Sequence, residues 1–112
     1  MTPEIEVVNL RDALSNVAGH WSPAVVGAVN DCQAKVVKLQ GEFVWHRHEA
    51  EDELFLVLQG TLTMRLRDGE RVLRAGELIV IPRGVEHCPA AEEEVHVLLF
   101  EPATTRRRGN AD

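Results

Sequence analysis

The sequence has no tyrosine and only three phenylalanines and two tryptophans, so its core cannot be built around aromatic rings. Packing must rest on Val, Leu, Ile and Ala, the aliphatic residues that most often lie inside. Cysteine is equally scarce. Cys32 and Cys88 are too few for the disulfide framework that staples small secreted domains, and both are expected as reduced structural thiols. No apolar run approaches the roughly 20 residues that a membrane-spanning helix needs. Basic charge is in deficit: twelve Lys and Arg stand against eighteen Asp and Glu, for a net charge of −6. That balance argues against nucleic acid as a partner, because displacing phosphate counterions takes a surplus of cations. The one basic run, Arg106-Arg107-Arg108, lies past the last apolar segment and reads as part of a solvated tail. The first six residues are acidic and lack the basic and apolar regions of a secretory signal, so a cytoplasmic protein is expected, with no membrane partner.

What is present is enough for one domain. Of 112 residues, 45% are hydrophobic, and no stretch reads as a linker between two cores. A core this small leaves a thin stability margin, which many such chains enlarge by dimerising; a homodimer is therefore expected. One short helix is predicted near the start. Asn9 caps it, Leu10, Ala13, Leu14 and Val17 recur at helical spacing, and Gly19 ends it. From there the pattern is all-β. Strands are predicted over 25–30, 34–40, 42–48, 53–58, 61–67, 70–75, 78–81 and 95–101, each bounded by Gly, Pro, Asp or Asn.

Asp68-Gly69 predicts a type I′ hairpin turn that pairs Arg67 with Glu70. In that register Leu62, Met64, Leu66, Leu73 and Ala75 share one face, and Thr61, Thr63, Arg65, Arg67, Glu70 and Arg74 the other. The strands at 53–58 and 78–81 are apolar on both faces. A barrel strand has one face inside and one outside, so the outer faces call for a cover, either the N-terminal segment or a second subunit.

Chemistry concentrates in two segments. The first reads Gly41, then His46-x-His48, Glu53 and Gly60; the second reads Gly76, Pro82-Arg83-Gly84 and His87. Residues two apart on a strand share a face, so His46 and His48 project into one space, and a short turn over 49–52 lets Glu53 point back at it. Pro82-Arg83-Gly84 reads as a tight turn that aims His87 inward. Imidazole with carboxylate suits Mn, Fe, Co, Ni, Cu or Zn rather than a thiolate site or an all-oxygen cage. Three histidines and one glutamate leave open positions on a six-coordinate ion, which a Lewis acid or redox metal needs to meet a substrate. An H-x-H alone says little; the eight positions His46, His48, Glu53, Gly60, Gly76, Pro82, Gly84 and His87 together are specific.

These segments resemble the two sequence motifs of the cupin superfamily, directly over residues 41–91. The first motif is one residue shorter than usual between its glycine and first histidine, and Ala91 stands where the second usually has Asn. The resemblance implies an all-β fold, a double-stranded β-helix or jelly-roll barrel carrying a short N-terminal helix. It implies one divalent transition metal ion held by His46, His48, Glu53 and His87. The barrel would span 34–102, with 1–33 packing on it or on a partner subunit and 103–112 a flexible tail. Function is then expected as isomerase, epimerase or dioxygenase chemistry on a small oxygenated molecule; small cupins of this kind are often likened to the mannose-6-phosphate isomerase group. The other reading is a non-catalytic module that binds or senses a small ligand. Polar inward residues beyond the four ligands would favour catalysis, and a wholly aliphatic lining of Val44, Phe55, Val57, Leu62 and Met64 would favour binding or oxidation of an apolar substrate; the strand faces suggest the aliphatic lining. No general base is identifiable from the sequence.

The remaining candidates read blandly. His20 is expected on the surface, His96 faces either the barrel or solvent, and Glu92, Glu93 and Glu94 form a solvated turn. Phe43 and Trp45 alternate with the histidines and are expected to face outward.

Overall fold

The computed structural model describes residues 2–111. After helix α1 (Leu10–Ser15), seven strands follow: β1 (Ala24–Val29), β2 (Cys32–Glu42), β3 (Glu53–Gln59), β4 (Thr61–Leu66), β5 (Gly69–Arg74), β6 (Leu78–Ile81) and β7 (His87–Pro102). The pairing is antiparallel throughout, in the order β1-β2-β7-β3-β6, with β4 joining β7 to β5. β7 carries the architecture. Its first residues pair with β4 and its later ones run between β2 and β3, so one long strand joins the two sheets of the jelly roll.

Helix α1 begins as the sequence predicts: the Asn9 side chain accepts from the Asp12 amide at 3.0 Å. It stops earlier. Asn16 is the C-cap, so Val17 lies beyond the helix and Gly19 does not end it. Its only fully buried residue is Leu14.

The inner faces of both sheets make an aliphatic core in which Val37, Leu39, Phe55, Val57, Leu62, Met64, Leu73, Val95, Val97 and Leu99 are all buried. The 61–74 hairpin has the predicted faces but not the predicted register. Arg65 pairs with Glu70 and Leu66 with Gly69, so Arg67 and Asp68 occupy the turn. Neither has a positive φ, which excludes type I′. The turn sits one residue earlier than predicted. That changes each cross-strand pair by two positions and preserves parity, so Leu62, which the predicted register set against Ala75, opposes Leu73 instead and stays on the core side. Ala75 is exposed past the end of β5.

Two further differences bear on the site. The predicted strand at 42–48 does not exist as a ladder: β2 runs to Glu42, and beyond it only His46 forms a bridge, with His87. Phe43 donates to the Pro89 carbonyl at 3.0 Å, but a proline has no N–H to return, so regular pairing stops there. Glu92, Glu93 and Glu94 are also not a turn between strands. They bulge within β7, where its register with β2 jumps from Leu39↔Val95 to Gly41↔Ala91.

Candidate metal centre

The pairing of the two motifs is local and mutual. His46 donates its amide to the His87 carbonyl at 3.1 Å, and His87 donates back at 2.9 Å. The turn at 82–84 closes with Val85 N–H on the Pro82 carbonyl and docks through Gly84 N–H on the His48 carbonyl at 2.8 Å. Asp52 locks the same turn from the side, its Oδ1 accepting from the Arg83 amide at 2.8 Å. Gly41, Gly60, Gly76 and Gly84 all have positive φ, as turn positions should.

This frame brings all four expected residues together. His46, His48, Glu53 and His87 are buried, and one potential ligand atom from each lies within 4.8 Å of the others. Glu53 Oε1 is 3.2 Å from His87 Nε2 and 3.3 Å from His48 Nε2. His46 Nδ1 and His87 Nδ1 each donate to a main-chain carbonyl two residues back, Val44 and Val85, both at 2.9 Å. That occupies Nδ1 and leaves Nε2 as the ring atom able to meet a cation, the usual outer support of a metal-binding histidine; in His87 this Nε2 sits against Glu53 Oε1. His48 Nε2 is buried with no well-aligned hydrogen-bond partner. A buried orphaned nitrogen is costly unless something binds it, and a cation would. The residues present fit a divalent transition metal.

The electrostatics favour the ligand forms. Loss of solvent holds the His46 imidazole down at about 4, with the neighbouring His87 and His48 acting in the same direction, so it is neutral near pH 7. Burial pushes the Glu53 carboxyl up, but the adjacent His48 and His87 imidazoles outweigh it and hold the group well below the usual carboxylate range.

Beside the cluster lies a cavity of about 260 Å³, reached by His46 and Glu53. Its wall is not the aliphatic lining the sequence suggested. Val37, Leu39, Phe55 and Leu99 share it with Gln33, Lys35, Glu101, Thr105 and Arg107. Lys35 Nζ lies 3.0 Å from Glu101 Oε1, and Glu101 Oε2 is buried without a partner. Burial, then the neighbouring Glu53, raises the Glu101 carboxyl to about 8. Phe43 also turns inward, stacking on Trp21 at 4.7 Å and meeting His46 edge-on. The expected alternation fails because the pairing slips by one residue between Glu42↔Ala90 and His46↔His87. Trp45 is half-buried beneath the guanidinium of Arg67, 3.8 Å from its ring centre. His20 and His96 meet on one carboxylate outside the barrel, each 2.9 Å from an oxygen of Glu94.

Fold and site together define a small single-domain β-barrel with a possible metal centre at one side of its cavity. The family model of the cupin domain matches residues 35–101, more than half the chain, and the chain belongs to that family. A cupin-2 domain protein from Shewanella frigidimarina is 50% identical, with a TM-score of 0.84 over 86% of this chain and 94% of that one. Protein NMB1881 from Neisseria meningitidis is 29% identical, with a TM-score of 0.79 over 88% of this chain and all of that one. Among curated proteins, YdbB of Bacillus subtilis is 40% identical over 63 residues, which are 55% of this chain and 56% of YdbB. No helix among the described residues is long and apolar enough to cross a membrane.

Proposed function

We propose that this cupin holds one divalent transition metal ion on His46, His48, Glu53 and His87 and acts on a small oxygenated molecule bound in the adjoining cavity. The observation that carries this reading is the convergence of three buried imidazoles on a carboxylate, two of them anchored through Nδ1 on main-chain carbonyls and the third with its Nε2 left unpartnered. A bound ion of this class supplies Lewis acidity, or redox capacity if it is Fe, Mn or Cu. The protein supplies the rest. Trp21 and Phe43 give a flat apolar wall, while Lys35, Glu101 and Thr105 offer donors and acceptors to oxygens beyond the metal. This mixed lining favours isomerase, epimerase or dioxygenase chemistry over storage of an apolar ligand. We also propose that the chain works as a homodimer.

Purified protein should contain about one transition metal ion per chain, measured by elemental analysis after supply of Mn, Fe, Ni and Zn in turn. Replacing His46 or Glu53 by Ala should lower metal content and melting temperature together, because metal binding free energy is partly folding free energy. Metal-free protein after every supply would refute the site. A screen with a sugar phosphate, a diketone and a catechol, reading both turnover and binding, tests the choice between enzyme and binding module; binding without turnover of any of them would favour the latter.

A further inference from the structure

The segment following β7 returns to the metal loop. Where the sequence suggests a flexible tail, residues 103–111 hydrogen-bond along the rim of the barrel. Ala103 donates its amide to the Asp31 carbonyl at 2.9 Å, Thr104 Oγ1 donates to Glu51 at 2.9 Å, and Arg107 donates to the Trp21 carbonyl at 3.1 Å. The last contacts fall on Arg47, the residue between the first two ligands. Arg47 N–H donates to Asn110 Oδ1 at 2.7 Å, and Asn110 N–H donates back to the Arg47 carbonyl at 3.0 Å.

This reciprocal pair answers a geometric need. In an extended segment, successive backbone groups point to opposite sides. His46 and His48 turn theirs toward His87 and Gly84, so Arg47 faces the other way, where no strand runs. Asn110 takes the place of the missing strand. The approach is so close that only glycine fits beside it: a Cβ on Gly109, whose φ is +51°, would overlap the Arg47 carbonyl and lie 3.2 Å from His46 Cδ2.

We infer that Gly109 and Asn110 are positioning residues for the metal, clamping Arg47 so that the imidazoles on either side of it keep their angle to Glu53 and His87. The inference rests on the metal reading above. Outer residues that orient ligands typically change metal affinity 10- to 100-fold when removed.

The test uses full-length protein loaded with Co(II), whose visible spectrum reports ligand geometry. Asn110→Ala and Gly109→Ala should each weaken Co(II) binding at least about tenfold in a chelator competition and alter the spectrum. Asn110→Asp keeps the acceptor for the Arg47 amide and should stay near wild type. Asn110 is exposed, so its variants should fold, and hydrogen exchange at the Arg47 amide should quicken in metal-free Asn110→Ala. Unchanged exchange would overturn the clamp itself. Quickened exchange with wild-type affinity and spectrum in both Ala variants would overturn the positioning role, as would equal losses in Asn110→Ala and Asn110→Asp. If wild type binds Co(II) and His46→Ala does not, a null result in the clamp variants sinks this inference alone. If wild type takes up no metal, the site reading fails and the positioning role goes with it.

Discussion

Glu94 accepts from two histidines that the sequence holds far apart from one another: His20 from the loop before β1 and His96 from its own strand. These hydrogen bonds hold its carboxyl down at about 2. An acid whose folded-state value lies below its unfolded one contributes stability that is complete above the unfolded value of 4.5 and is lost as pH falls through the folded one. Glu94→Gln should therefore melt below wild type at pH 6, with the gap narrowing once the pH drops under about 4.5. Scanning calorimetry across that range checks it; a gap independent of pH would contradict the link. The four candidate ligands were legible through the motif resemblance: strand spacing and a short turn group only His46, His48 and Glu53, and the bridge to His46 brings in His87. The cavity's polar residues were not. Lys35 and Glu101 sit on strands with apolar residues on both faces, Ala34 and Val36 against Val37 and Leu39 in β2, so parity could not say which side was inside. The inward face is decided by pairing with β7, more than fifty residues away.

Elements were read best where local chemistry decides them. Helix α1 starts at its Asn9 cap, and β3 and β6 fall close to their expected ends. The front half of β7 was missed because Pro89 and three successive glutamates look like a loop, although pairing with β4 supports that stretch. Tertiary contacts outweigh local preference there. Gly60, between β3 and β4, shows what such packing demands. Its φ is +92°, and a Cβ would stand 3.1 Å from the Glu94 carbonyl oxygen and 3.2 Å from Val95 Cα, both backbone atoms that cannot step aside. Gly60→Ala should cost on the order of 1–3 kcal/mol, seen as a lower urea midpoint with little change in slope. Gly27, beside a register shift in β1, has no positive φ, and a Cβ added there would have nothing within 4 Å. Gly27→Ala should therefore leave the midpoint nearly unchanged or raise it. Equal effects at the two sites would refute the packing argument.

At the scale of the whole molecule, the apolar outer faces that the sequence marked on β3 and β6 form two rows running across the sheet. Val80, Leu54 and Phe100 pair in one row, and Leu78, Leu56 and Leu98 in the next. Helix α1 contacts β1 and β2 and leaves these rows open at the β6 end, where Leu78 is 57% and Val80 48% exposed. A contiguous apolar surface of this kind is unusual on a monomer, and a second copy laid on it would extend the burial that a chain of this length otherwise lacks. A twofold contact is self-complementary, so the same patch would be buried on both copies. Light scattering behind size-exclusion chromatography should give the mass of two chains for wild type. Leu78→Glu with Val80→Glu should give one chain, with strand content intact by circular dichroism, since both residues are already half in water. His46, His48, Glu53 and His87 lie on the other side of the sheet, so the monomeric variant should still take up the proposed ion. A wild-type mass of one chain at micromolar concentration would remove the dimer while leaving the centre untouched.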